Sequence, residues 1–311
     1  MRDVEVVGLG EVVVDWVARV GHFPEPDEKI DATSENLYPG GVTANYVTAV
    51  ARLGGKAAFI GAVGNDEHGR FLLADFEAEG VDASGVRVVD GGKTPVNFIF
   101  VVERSGEKVI VQSPHMQTTR LSPDDLDVEL VASAKVLHVT AIHQDVAERA
   151  VGIARDAGVA VTFDLEGQIA SRGWSALKEL VTRVDVLQPN KGGAFALAKT
   201  NDPVAAADFF HERGVPMVVI TLGSRGCLVS TPGEKVEVPG FPVEAVDTTG
   251  AGDTFTAAFD WGVQVRGWDP FKAAKFANGA AALKCLVEGA RTGMPGEQAV
   301  WEFLKEREQA S

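Results

Sequence analysis

The stretch DTTGAGDTF, residues 247–255, sets two aspartates on either side of a turn of small residues, with a helix expected where the turn ends. A helix N-terminus presents unpaired N–H groups and the positive end of the helix dipole, which together attract anions. Gly250, Ala251 and Gly252 leave a phosphate free to approach that backbone, because no large side chain stands in the way. A phosphoryl group in transfer has this need, since its oxygens require compensation as charge moves. Asp253 would lie in the first turn beside the same anion. A carboxylate there is repulsive unless it does something, such as taking a proton from an attacking hydroxyl. The plainer reading is an N-capping aspartate on a glycine-rich turn. The stretch alone leaves both open.

The elements that must hold this turn alternate along the chain. VEVVGLGEVVVD, AAFIGAVG, KVLHVT, VAVTFDL, VDVLQP and MVVITLG read as buried strands of a largely parallel sheet. Amphipathic stretches at 42–53, 66–79, 144–157 and 203–213 lie between them, and 252–308 reads as mostly helical. Such alternation implies right-handed crossovers with helices on both faces, an α/β architecture. Two regions break the rhythm, at about 12–38 and 94–113, where strands carry polar alternation. TPVNFIFVVERSGEKVIVQSP is a hairpin with Ser105-Gly106 at its turn. A small sheet serving as a lid is the functional reading of these strands; surface elaboration is the plain one. No repeat or low-complexity linker divides residues 1–311, which suit a single domain.

A second glycine cluster, YPGGVTANYVTAVARLGGKAAFIGAVGNDEHG at 38–69, places Gly40-Gly41 ahead of a helix and Asn45 one turn into it. It runs on through Leu53-Gly54 to Gly61, Gly64, Asp66 and Gly69. Here the chain resembles the ribokinase-like, or PfkB, carbohydrate kinase family. The GG-x-x-x-N element and the downstream LG…G-x-x-G-x-D-x-x-G run match that family's N-terminal signature, and DTTGAGDTF matches its C-terminal one. TLGSRG at 221–226 resembles its nucleotide loop, and FANGAAALKCLVEGARTGMP at 276–295 the helix and loop beside the adenine. The resemblance runs from about residue 4 to about residue 305, in order.

That resemblance implies a three-layer α/β/α domain with a mostly parallel central sheet and a β-strand lid, and lids of this kind often pair between subunits into a homodimer. It implies transfer of the γ-phosphate of ATP, with Mg2+, to a hydroxyl of a small sugar. Asp253 would be the general base, with Gly250, Ala251 and Gly252 as the anion hole. Asp15 would bind acceptor hydroxyls, with Gly40, Gly41 and Asn45 completing that side. Asn190, Thr221, Gly223, Gly226 and Asn278 fall on the nucleotide side. Asp247 and Thr249, with loop carbonyls near Lys284, Val287 and Gly289, resemble a monovalent-cation site, with K+ as the ion. The chain departs from the pattern twice. LQPNKGGAFAL has Gly193 where an Asn-x-x-Glu motif places the glutamate that organises magnesium, and Gly293 replaces a commonly seen serine at the cation loop.

Composition narrows the rest. A formal net charge of −15 argues against sequence-independent nucleic-acid binding, which needs a basic face. If the ligand is an anion, backbone amides and a metal must supply the attraction. No signal peptide or run of about 18 apolar residues is visible, so no membrane partner is expected. Two distant cysteines, Cys227 and Cys285, suit reduced thiols in a cytoplasmic protein. GLGEVVVD lacks the third glycine of a dinucleotide fingerprint, with Val13 in its place. P-loop and G-x-S-x-G motifs are missing, and the six histidines have no zinc-type spacing. His138 and His143 flank a strand end and are expected to line a pocket or to be hydrogen-bonded. A non-catalytic sugar- or nucleotide-binding regulator on the same fold is the rival to a kinase.

For the acceptor, a neutral sugar needs only hydroxyl partners, and Asp15, Asn45, Asn97 and Gln112 provide them. A nucleoside would want an apolar slot, for which Phe98, Phe100 and Tyr38 are available. A sugar phosphate needs cations, because a dianion cannot be left unpaired. Lys29, Arg104 and Lys108 are the lid's, with Arg104 and Lys108 expected to point to water, and HVTAIH offers no arginine. The expected order is unphosphorylated pentose, hexose or sugar acid, then nucleoside, then sugar phosphate.

Overall fold

The structure, a computed structural model, describes residues 3–309. In chain order its strands are β1 (Val6–Leu9), β2 (Val13–Val20), β3 (Ser34–Gly40), β4 (Ala57–Gly64), β5 (Asp82–Val89), β6 (Val96–Val102) and β7 (Lys108–Val111). They continue with β8 (Val136–Thr140), β9 (Ala160–Leu165), β10 (Val186–Pro189), β11 (Met217–Thr221), β12 (Gly226–Thr231) and β13 (Glu234–Pro239). Among the described residues they form a nine-stranded sheet, ordered β13-β12-β11-β10-β9-β8-β1-β4-β5, and a four-stranded sheet, ordered β3-β2-β6-β7. From β5 to β11 neighbours run parallel, and β12 and β13 extend that edge antiparallel.

Helices cover both faces of the large sheet, so its strands read as nearly unbroken apolar runs; β4 is buried at every position. Side chains alternate between the two layers. Val7 and Leu9 join one apolar layer with Val146, Ala150 and Leu177. Val6 joins the other with Val47, Phe259 and Phe276, which come from the helices Val42–Arg52, Ala251–Asp260 and Pro270–Lys284. This is the three-layer α/β/α arrangement. VEVVGLGEVVVD is not one strand, however: it divides at Gly10-Glu11 into β1 of the large sheet and β2 of the small one. A Cβ at Gly10 would meet the hydroxyls of Thr43 and Thr140 at 2.0 and 2.5 Å, so the chain there is pressed between a helix and a strand end.

β1 lies between β4 and β8, and the chain leaves it in both directions, toward β5 on one side and β11 on the other. A crevice opens at the carboxyl ends of the strands where the order reverses, the usual ligand position in such sheets. The four-stranded sheet stands over this end. β6 and β7 form the expected hairpin, with Gly106 at φ 68° in its turn. Trp16 meets Phe98 and Phe100 edge-on at 5.8 and 6.0 Å, so these rings pack against one another within the small sheet. No helix among the described residues is long and apolar enough to cross a membrane.

Candidate active site

The glycines of the 247–255 turn do different work. Gly250 caps the helix Ala251–Asp260 at φ 79°, and a Cβ on it would meet the carbonyl oxygen of Ala290 at 2.3 Å. Backbone sign and close approach both demand glycine there. A Cβ on Gly252 would meet nothing within 4 Å, so its bareness is not needed for packing and leaves open space. Ala251 N–H donates to the Thr248 carbonyl at 3.2 Å. The amides of Gly252 and Asp253 are first-turn donors without an intrahelical acceptor.

Asp253 is held from the side. Asn45 Nδ2 donates to its Oδ2 at 2.7 Å, and Asn45 Oδ1 accepts from Arg291 Nε at 2.9 Å. Arg291 thereby decides which end of the Asn45 amide faces the aspartate. It is 4% exposed, donates to the Gly40 carbonyl at 3.1 Å, and pairs with Asp75. Asp15 lies in β2, in register with Asn97 of β6, whose Nδ2 donates to its Oδ1 at 3.1 Å. A Cβ at Gly40 would meet Asp15 Oδ2 at 2.2 Å, so that glycine makes room for the carboxylate. Gly41, at φ 97°, caps the helix that carries Asn45.

A cavity of ≈ 310 Å³ lies between the small sheet and the turn, with Asp15, Arg19, Tyr38, Lys108 and Thr249 in its wall. Lys108, expected to point to water, reaches across to donate to Thr249 Oγ1 at 2.9 Å. Arg19 pairs with Glu288 at 2.9 Å. Gln112 donates to no group of this site and bonds with Gln168.

The carboxyls here are pushed toward neutrality. Burial raises Asp253 to about 7, with Glu11 and Asp15 adding repulsion against the Asn45 hydrogen bond. Burial raises Asp15 to about 6. Burial also takes Glu166, just past β9, to about 7, with Glu11 and Asp253 adding to it. Asp164 rises well above its ordinary range through burial and its acidic neighbours, and Glu11 rises through burial although Thr140 donates to it at 3.0 Å. Glu11, Asp164, Glu166 and Asp253 thus share one crevice end.

Of the residues expected on the nucleotide side, Asn190 follows β10 and Thr221 ends β11, and the two form a bridge. Asn190 caps the helix Lys191–Ala198, accepting from Gly193 N–H at 2.7 Å. Gly223 and Gly226 frame a single 3-10 turn at φ 64° and 96°. Asn278 donates to the Val238 and Pro239 carbonyls, both at 3.1 Å, tying the end of β13 to the helix Pro270–Lys284.

Comparison with known proteins settles the lineage. The description "pfkB family carbohydrate kinase" matches residues 1–297. This chain belongs to that family. It is 34% identical to the ATP-dependent ribose-1-phosphate kinase of Halopiger xanaduensis over 98% of this chain and 99% of the relative. It is 32% identical to the ribokinase of Haemophilus influenzae over 96% and 97% of the two chains. Among solved structures, Arabidopsis thaliana ribokinase complexed with ribose and ATP superposes with a TM-score of 0.85 at 28% identity, covering 97% and 98% of the chains. A putative ribokinase II from E. coli in complex with ATP and Mg2+ gives 0.86 at 26%, covering 97% and 99%. The protein is therefore an ATP-dependent carbohydrate kinase with a ribokinase-like fold.

Within this pfkB kinase the structure adds residues the sequence reading left aside. Glu11 lies inside GLGEVVVD, a stretch whose strand pattern and terminal Asp15 give it no separate signal. Glu166 has no motif around it, and Arg291 is a buried charge inside the glycine-rich GARTG. Of the histidines, His138 is fully buried and bonded to Thr162 at 2.9 Å. His143 lines a small cavity with Glu11 and Thr140, and burial pulls its imidazole down to about 4.

Proposed function

We propose that this kinase phosphorylates a hydroxyl of a small, unphosphorylated sugar, with Asp253 as the general base. The carrying observation is the part-buried Asn45–Asp253 hydrogen bond at the mouth of a bare helix N-terminus. Asp15 and Asn97 accept and donate to acceptor hydroxyls from the lid, turning one hydroxyl toward Asp253. Asp253 takes that proton as the oxygen attacks, and its raised basicity suits the task near neutral pH. The unpaired first-turn amides of Gly252 and Asp253, in the turn that 250–252 begins, face the charge that develops on the transferring group. Asn190, Thr221, Gly223, Gly226 and Asn278 hold the nucleotide end, Asn278 by fixing the backbone of β13.

Magnesium fits this site as an ion carried by phosphate oxygens and water. Among the described residues no three His, Cys, Asp or Glu side chains converge as a metal cage, and Mg2+ ordinarily takes one or two carboxylates plus phosphates. A side chain cannot leave position 193 on this backbone, because its Cβ would lie 2.0 Å from the Leu165 carbonyl oxygen. Glu166, adjoining that contact, offers the carboxyl instead. The ion, when bound with ATP, neutralises phosphate charge.

A second reading is a sugar phosphate, favoured by Arg19 and Lys108 in the cavity wall. The acidic crevice weighs against it. A coupled ADP-release screen over ribose, fructose, 2-keto-3-deoxygluconate, adenosine, ribose 1-phosphate and fructose 6-phosphate decides. A neutral sugar should give the highest kcat/KM; a preference of about tenfold, or ~1.4 kcal/mol, for a phosphorylated acceptor replaces this reading.

The kinase domain, closed by lid strands 12–38 and 94–113, pairs through that lid as a cytoplasmic homodimer. Leu37, Phe98, Val109, Ile110 and Val111 support this, each about half exposed on the small sheet. A light-scattering mass of one chain at micromolar concentration would remove the dimer.

A further inference from the structure

The loop pair 246–250 and 285–293 carries carbonyls that the family likeness gives to an exchangeable monovalent ion, and the residues present do not fit one. Lys284 ends the helix Pro270–Lys284, is 0% exposed, and sends its side chain into the carbonyl cluster. Its Nζ donates to the Asp247 carbonyl at 2.8 Å and lies 3.4 Å from that of Val287. An ammonium nitrogen and a potassium ion keep similar distances from carbonyl oxygens, so the two compete for the same place. The position that commonly holds a serine also has no room: a Cβ on Gly293 would lie 2.7 Å from the Lys284 carbonyl oxygen and 2.9 Å from Val287 Cβ.

The surrounding bonds tie both loops to this group. The Asp247 carboxylate accepts from the amides of Thr249 and Gly289, each at 2.9 Å. Val246 and Asp247 N–H donate to the Cys285 carbonyl at 2.8 and 3.2 Å. Three residues on, Gly250 packs against Ala290 and starts the helix that carries Asp253. Whatever neutralises the carbonyls of this cluster therefore fixes the anion-binding turn.

We propose that the ε-ammonium of Lys284 is a tethered monovalent cation that replaces the exchangeable ion, making phosphoryl transfer independent of potassium. Burial lowers the Lys284 pKa and the Asp247 carboxylate opposes that shift, so the tethered charge orders the turn without drawing on ions in solution. The inference rests on the kinase reading for its activity arm and on ion binding alone for its melting arm, so the two can fail separately.

The native enzyme is assayed in potassium-free buffer, with KCl added to about 100 mM against tetramethylammonium at constant ionic strength. The expected change in kcat/KM is less than about twofold, and in the melting temperature none beyond the tetramethylammonium control. Activation by roughly tenfold, or potassium-specific stabilisation of the native chain, overturns the proposal. Lys284→Ala empties the cluster; it should lose most of kcat and regain it, together with melting temperature, on adding K+ or NH4+ but not tetramethylammonium. Full activity of Lys284→Ala without K+, or a folded variant that K+ neither restores nor stabilises, also overturns it. Should Lys284→Ala not fold, the native titration decides.

Discussion

Glu166→Gln should make the protein more stable at pH 8 and a poorer kinase. Burial first, then the charges of Glu11 and Asp253, push the Glu166 carboxyl from 4.5 to about 7. A rise of that size corresponds to ~3 kcal/mol against the ionised form. The repulsion is shared with Asp164 and Asp253, so removing one charge should recover about 1–3 kcal/mol. The sign follows from proton binding. A folded-state value above the unfolded one stabilises the native chain below pH 4.5, and that contribution is lost as pH rises through about 7. The gain from glutamine is therefore absent at pH 4.5 and complete near pH 8. For a chain of this length ~1 kcal/mol moves Tm by about 2 °C, so calorimetry should show a rise of roughly 2–5 °C at pH 8. The same variant should lose about tenfold or more in kcat and in Mg2+ affinity, the usual scale for a group that supports a metal's surroundings. An equal gain at pH 4.5 and pH 8, or a lower Tm at pH 8, would refute the crowding argument.

Asp253→Asn should keep ATP binding and lose about 10²–10⁴ in kcat, measured by ADP release; near-normal turnover removes it as the base. In the native enzyme kcat/KM should rise with pH through about 7 as Asp253 ionises, then level off, and a flat profile between pH 5 and 9 contradicts that assignment. Gly252→Val should cut kcat with little change in acceptor affinity by calorimetry, because its Cβ enters open space rather than protein; equal losses in both make the turn structural. Arg291→Gln should cost about 1–3 kcal/mol in urea unfolding by removing the charged partner of the part-buried Asp75 and the bond to the Gly40 carbonyl, and should lower kcat through the loosened Asn45.

The parallel strands were legible because burial on both faces leaves only apolar residues, as in AAFIGAVG for β4. The hairpin was legible from Ser105-Gly106, since turn chemistry is local. β12 and β13 were missed: β13 alternates exposed and half-buried positions at a sheet edge, giving no continuous run. VEVVGLGEVVVD was read as one strand because the break at Gly10 is set by Thr43 and Thr140, residues far away in sequence. The site divides likewise. Asp253, Asn45 and Asp15 stand in local motifs, and the structure brings them to one crevice. Glu166 and Arg291 act across long separations, through a collision at Gly193 and a bond to Asn45, and no spacing rule marks such partners.

The acidity of the crevice and the anionic substrate look opposed until the positive groups are located. The open end faces first-turn amides of the helix Ala251–Asp260, whose dipole is fixed by the fold. Behind that helix start, Lys284 neutralises the carbonyls that support it, and Arg291 holds Asn45 against Asp253. Both cations are buried and bonded away from the cavity; Arg291 lowers Asp253 through space but burial outweighs it, and neither cation offsets Glu11, Asp164 or Glu166. The carboxyls' unmet charge is then free for an incoming ion and an incoming proton. A crevice neutralised by its own arginines would be more stable and would have less attraction for Mg2+ and less basicity at Asp253, so the native excess of carboxyls is what ties loss of stability above pH 7 to readiness for transfer.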